Sequence, residues 1–167
     1  PVGQGASSFG DGATCLHHAE SATRFAPAEV WENRNPWLVN RVELIKDSGG
    51  AGKYRGGLGV NLEFTMLEDS YATTVCERTL LPPWGLNGGK EGLANNCYVI
   101  EEDEKVLEKP KATRVHVKKG NRVLIQCGGG GGYGNPSERN PDKVLDDYKQ
   151  EYISKKYINK FHPEVKI

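Results

Sequence analysis

No apolar run in this chain approaches the roughly 18 to 20 residues that carry a helix across a bilayer, and no charged start leads into an apolar stretch of the signal-peptide kind. An excess of either charge is also missing. Lys plus Arg (22) equals Asp plus Glu (22), so nothing draws the chain electrostatically to nucleic acid or to an acidic membrane. The phosphate-binding pattern G-x-x-x-x-G-K-[ST] does not occur, which excludes a P-loop. C-x-x-C pairs are absent as well. Cys15, Cys76, Cys97 and Cys127 are scattered along the chain, a distribution that fits buried, unreactive thiols better than a disulfide framework or a zinc site. These absences leave a soluble, cytoplasmic domain with no nucleic-acid and no membrane partner.

Glycine, by contrast, is plentiful and concentrated. Asp47-Ser48-Gly49-Gly50-Ala51-Gly52-Lys53-Tyr54-Arg55-Gly56-Gly57-Leu58-Gly59 and Cys127-Gly128-Gly129-Gly130-Gly131-Gly132-Tyr133-Gly134-Asn135-Pro136 hold much of it. Ordering glycine costs backbone entropy, so such stretches make sense where positive φ or very close backbone approach is required. Two readings stand: tight turns against packed sheet edges, or nests of adjacent N–H groups that hold an anion. The first predicts positive φ at several of Gly49, Gly50, Gly56, Gly57 and Gly130 to Gly132. Gly129, Gly131 and Gly134 satisfy G-x-G-x-x-G, but Asn135-Pro136 blocks the helix whose N-terminus would have to face a pyrophosphate, so a dinucleotide site is rejected.

Periodicity points to a mainly β fold. Val60, Leu62, Phe64 and Met66 alternate with Asn61, Glu63 and Thr65, which predicts a half-buried strand with Phe64 inward and Glu63 facing solvent. Shorter β segments are predicted at 39–45, 71–76, 97–101, 113–117 and 122–126, separated by Gly, Pro and Asn. Lys118-Lys119-Gly120-Asn121 reads as the turn of a hairpin joining the last two. Later the pattern changes. Asn140 as cap, Pro141 at the first helical position and apolar residues at 144, 145, 148 and 152 predict a helix over 141–152, and Ser154 caps a second one reaching about residue 161. The expected architecture is an antiparallel sandwich or barrel, a β domain at 1–136, with a helical segment at 137–167 packed on it.

Candidate chemistry is sparse. His17 and His18 are neighbours, which on an extended chain face opposite ways and cannot clamp one metal together. Glu29 and Glu32 lie three apart, so a helical turn would place both carboxylates on one face, as an acid–base pair or as capping and ion-pair groups. Arg55 and Arg78 stand beside rigid turns. Each offers a planar fork to a carboxylate or to an internal ion pair, in a substrate-binding or a loop-positioning role. No catalytic residue is assigned.

Four ordered motifs together resemble the hydantoinase B/oxoprolinase family: Pro27-Ala28-Glu29-Val30-Trp31-Glu32, the 47–59 stretch quoted above, Pro83-Trp84-Gly85-Leu86-Asn87-Gly88-Gly89, and Gly129-Gly130-Gly131-Gly132-Tyr133-Gly134-Asn135-Pro136-Ser137-Glu138-Arg139. The resemblance covers nearly the whole chain but only the C-terminal portion of the longer family subunit, so a fragment is expected. It implies a part of an ATP-dependent cyclic amide hydrolase of the hydantoinase or 5-oxoprolinase type. The alternatives are a related ketone carboxylase subunit or a non-catalytic β module for binding or assembly. ATP and a divalent metal are implied for the complete enzyme and no cofactor for this piece, because the family's His-x-x-Asp metal signature is absent and His17-His18-Ala19-Glu20 does not match it. The implied partners are the remainder of the subunit and an A-type ATP-binding subunit. Two departures concern the end: Gln150-Glu151 stands where the family favours Gly between the final helices, and Phe161-His162-Pro163 where it favours Tyr-Gly-Val. Without that Gly, the turn near Glu151 is expected to widen or the helix to run on.

Overall fold

The computed structural model describes residues 2–16 and 26–167; the His17-His18 pair lies outside them. After a short helix α1 (Ala28–Arg34) come seven strands: β1 (Trp37–Leu44), β2 (Val60–Met66), β3 (Ser70–Val75), β4 (Asn96–Ile100), β5 (Val106–Glu108), β6 (Lys111–Val117) and β7 (Arg122–Cys127). Five of them form one sheet in the order β1-β2-β7-β4-β5, and β3 pairs with β6 in a second. Every pairing is antiparallel. The sheets stay open, as in a sandwich, and do not close into a barrel.

Strand β2 holds the centre of this arrangement. Val60, Leu62, Phe64 and Met66 are all buried, as their alternation predicts. Phe64 meets Trp31 edge-on at 5.6 Å and Trp37 at 5.3 Å between ring centres, a geometry that adds to simple area burial. Met66 turns toward Val99 and Val117, which join the two sheets.

The other face of β2 corrects the sequence reading. Glu63 does not face solvent: it is 3% exposed. Its carboxylate accepts from Arg41 Nε at 2.8 Å and Arg122 Nη1 at 2.9 Å, with Asn40 at 3.3 Å. A bulge between Val39 and Arg41 brings Asn40 into range, which no alternation count could register. Burial alone would push this carboxyl up, but the hydrogen bonds from Arg122 and Asn40 and the two arginine charges hold it below the ordinary range.

The predicted hairpin at 118–121 is also corrected. The turn itself is there, with Asn121 N–H donating to Lys118 O at 3.1 Å and Gly120 at φ +86°. Its flanking strands do not pair. β6 belongs to the small sheet and β7 to the large one, so the turn hands the chain from one layer to the other, held by bonds between Met66 and the 120–121 backbone.

Two helices close the chain, α2 (Pro141–Lys149) and α3 (Lys155–Phe161), after a single 3₁₀ turn at Pro136–Glu138. Asn140 and Ser154 cap α2 and α3 through their side chains. α2 ends three residues before the predicted 152. Glu151 itself takes the left-handed conformation at φ +60°, with Tyr152 N–H bonded to Asp147 O and Glu151 N–H to Tyr148 O. That is a Schellman stop with a glutamate in the glycine position. Val144, Ile153, Tyr157, Ile158 and Val165 then pack against Ala51 of the first glycine stretch.

Candidate functional site in the glycine lattice

The 128–134 run is the axis of a lattice made almost wholly of backbone. Segments 3–6, 50–57 and 86–93 surround it. Gly3 N–H donates to Gly128 O (3.0 Å), Gly130 N–H to Gly57 O (2.9 Å), Gly50 N–H to Gly130 O (2.9 Å), Gly132 N–H to Lys90 O (2.8 Å) and Ala6 N–H to Gly131 O (2.9 Å). Positive φ, expected at several of Gly49, Gly50, Gly56, Gly57 and Gly130 to Gly132, is found at none of them; among the described glycines Gly88, Gly120 and Gly134 have it. Close approach is the reason instead. A Cβ on Gly130 would stand 1.8 Å from Gln4 O, and one on Gly56 would stand 1.9 Å from Gly130 O. Neighbouring main chains occupy the space that any side chain would need.

One charged cluster ties this lattice to the helices. Arg55 grips Asp147 of α2 with Nε (3.0 Å) and Nη2 (3.2 Å), while its Nη1 donates to Gly56 O at 2.7 Å. Arg139 grips Asp11 through Nη1 (2.7 Å) and Nη2 (2.9 Å), and Nη2 also reaches Asp147 at 2.8 Å. Asp11 in turn accepts the Arg55 backbone N–H at 2.8 Å. Two cations and two anions balance, and Arg55, Arg139 and Asp147 are each less than 10% exposed. Burial favours the neutral Asp11 carboxyl, yet the bonds and charge of Arg139, followed by the Arg55 backbone and charge, leave it below its usual range. Tyr157 adds a second tie, donating its hydroxyl to Gly49 O at 3.0 Å, and burial pushes that phenol far up.

Arg55 therefore lies inside an internal ion pair, and Arg78 does not. Arg78 is exposed, left-handed at φ +56°, and stacked over Trp84 at 4.3 Å. It lines a cleft of about 550 Å³ with Gln4, Trp84, Asn95 and the 128–131 backbone. Glu29 and Glu32 both fall in α1, exposed and away from that cleft. Glu32 accepts the Val39 N–H at 2.8 Å and so fixes the α1–β1 corner. Asp11, Arg139 and Asp147 are the residues that sequence reasoning missed as a group. The available signal was Asp147 itself: three residues after the buried Val144, it occupies an inward helical position while the predicted Tyr148 points outward.

Gly134 leads into one 3₁₀ turn capped by Asn135, not into the helix N-terminus that a dinucleotide site requires. Among the described residues no three His, Cys, Asp or Glu side chains converge as a metal-ligand set, so those residues do not fit the implied divalent metal. The four cysteines are unbridged, and burial with Cys76 and Cys127 nearby pushes the Cys97 thiol up to about 11. Among the described residues no helix is long and apolar enough to cross a membrane.

With this geometry in view, the chain matches the hydantoinase B/oxoprolinase family over residues 1–136. It belongs to that family. An uncharacterized protein of Methanocaldococcus jannaschii is 42% identical over 77% of the chain, which corresponds to 23% of that protein. The B subunit of a putative D-/L-hydantoinase from a Pseudomonas species is 33% identical over 87% of the chain and 25% of its own length. Among solved structures, the ATP-dependent caprolactamase of Pseudomonas jessenii superposes with a TM-score of 0.80 at 28% identity, covering 94% of this chain and 28% of that one. Nucleotide-free acetone carboxylase gives a TM-score of 0.84 at 19% identity over 96% of this chain and 26% of its own, a likeness of fold. The family member described here thus spans about a quarter of the length of each of these relatives.

Proposed function

We propose that this family member is the C-terminal part of the B-type subunit of an ATP-dependent cyclic amide hydrolase, working in the cytoplasm with an A-type subunit that handles the nucleotide. The observation that carries the reading is the identity gradient. Likeness at the level of sequence runs to a hydantoinase subunit at 33% and a caprolactamase at 28%, whereas the carboxylase shares the fold at 19%. The unbridged cysteines suit a reducing compartment.

Within the assembly the chain's own residues position and bind. Arg55 is a loop-positioning residue: it locks the first glycine stretch onto α2 through Asp147. Glu32 positions the α1–β1 corner, and Glu29 stands exposed in the first turn of that helix. Arg78 is the residue that reaches a bound group. Metal and nucleotide belong to the adjoining polypeptide.

The test reconstitutes the complete B-type subunit with its A-type partner and measures ADP release with a cyclic amide (hydantoin, 5-oxoproline or caprolactam), or with acetone and bicarbonate. Turnover should depend on a cyclic amide. ADP release that responds to acetone and bicarbonate alone would reassign the chain to the carboxylases. Arg55→Lys keeps the charge but loses the fork, and should lower kcat/KM at least about tenfold, equivalent to about 1.4 kcal/mol.

A further inference from the structure

We infer that the cleft beside the glycine lattice is a carboxylate-binding subsite built on Arg78 and the Gly131 N–H. Arg41, Arg55, Arg122 and Arg139 each hold a carboxylate. Arg78 holds none among the described residues. Its guanidinium lies over the Trp84 indole at 4.3 Å, which occupies one face of the fork and leaves the in-plane N–H groups open.

The backbone at this point is clamped. Arg78 sits at φ +56°, a conformation that costs an L-residue on the order of 1–2 kcal/mol and persists only when the surroundings over-determine it. Asn95 does so. Its N–H donates to Arg78 O at 3.1 Å, its Nδ2 to Glu77 O at 2.8 Å, and its Oδ1 accepts from Gly128 N–H at 2.5 Å. One side chain therefore sets Arg78 against the start of the glycine run.

A second, independent observation lies in the glycine run that lines the same cleft. Gly131 is buried, lines the same cleft, and its N–H has no acceptor among the described residues, although its carbonyl is bonded to Ala6. Set in the cleft wall, that N–H is available to an acceptor from outside. Among the described residues the cleft contains one cationic side chain and no acidic one. An open guanidinium fork, the Gly131 N–H and the 62% exposed Trp84 match a planar monoanion with a short apolar body. A phosphate dianion would leave charge unmatched.

The carboxylate has two sources: a free small molecule, such as the acid left when a cyclic amide opens, or an acidic side chain of the adjoining polypeptide. Only the first source rests on the function proposed above. The test uses the protein as its gene encodes it and needs neither ATP nor turnover, so its failure is separable from failure of that function. Hexanoate is titrated by calorimetry at pH 7, with inorganic phosphate as comparator, into wild type, Arg78→Lys and Arg78→Gln, and all three are melted at pH 7 and pH 3.5.

A free source predicts hexanoate binding that weakens at least tenfold in Arg78→Lys, vanishes in Arg78→Gln, and exceeds that of phosphate. A side-chain source predicts no hexanoate heat but a lower melting temperature for Arg78→Gln at pH 7, a difference that shrinks at pH 3.5 as the carboxylate protonates. Equal hexanoate binding by wild type and Arg78→Gln, tighter binding of phosphate, or absence of heat with identical melts at both pH values would overturn the site.

Discussion

Replacing Gly130 with alanine should be among the most damaging single-methyl additions this protein can receive. The new Cβ would stand 1.8 Å from Gln4 O, 2.1 Å from Gln4 C and 2.6 Å from Gly5 N. Carbon and carbonyl oxygen settle no closer than about 3.3 Å even in favourable C–H···O contacts, so the 4–5 segment must retreat by roughly 1.5 Å. That retreat breaks the 2.8 Å bond from Gly57 N–H to Gln4 O, and strains the bonds that Gly130 makes to Gly57 and Gly50. Overpacking costs about 1–3 kcal/mol, and each buried backbone group left unpaired about 1–3 kcal/mol more. The expected loss is roughly 3–6 kcal/mol, a large part of a typical total of about 5–15 kcal/mol. Gly10→Ala is the control. Nothing lies within 4 Å of its added Cβ, so stability should change by about 0.5 kcal/mol or less. Guanidinium unfolding of both variants and wild type gives the comparison. A Gly130→Ala midpoint equivalent to a loss under about 1 kcal/mol would refute close approach as the reason for glycine there.

Three further outcomes are expected of the same structure. Glu63→Ala should cost about 2–4 kcal/mol in urea unfolding, because it leaves Arg41 and Arg122 facing each other without their shared carboxylate, whereas an effect under about 0.5 kcal/mol would mean the strand face is solvated. Glu151→Gly should raise stability by roughly 0.5–1.5 kcal/mol by relieving a left-handed glutamate, and a loss would show that its side chain is needed. Stability should fall as pH drops through and below about 4. Asp11 and Glu63 have folded-state values below their ordinary 3.8 and 4.5, so the unfolded chain binds protons first and their contribution is lost in acid; a flat profile of denaturation midpoint between pH 5 and pH 2.5 would contradict this.

Periodicity and capping were legible because both are local. The inward face of β2, the Asn140 and Ser154 caps and the antiparallel β architecture could all be read from a few adjacent residues. What depends on a distant partner could not. β5 is three residues long and offered no alternation to count. The outward face of β2 looked solvated because the arginines that cover Glu63 arrive from β1 and β7, one of them past a bulge. Glycine content showed that special backbone was required but not which kind, since positive φ and close approach ask for the same residue. Arg55 and Arg78 were equivalent in the sequence. Asp147, 92 residues from Arg55, is what separates a buried ion pair from an open fork.

The glycine lattice also bears on how quickly this protein reaches its native state. Its bonds join Gly3 to Gly128, Gly130 to Gly57 and Gly132 to Lys90, so no contiguous stretch of chain can form the lattice alone. The participating segments have little side chain with which to collapse early, and glycine gives up the most conformational freedom on ordering. Such non-local pairing places the entropic cost of loop closure before most of its reward, and topologies of that kind fold in milliseconds to seconds, not microseconds. The sheets can form first on their apolar faces. The Asp11–Arg139–Asp147–Arg55 cluster is equally non-local, and its ion pairs can close only where the N-terminal segment, the first glycine stretch and the closing helices have come together.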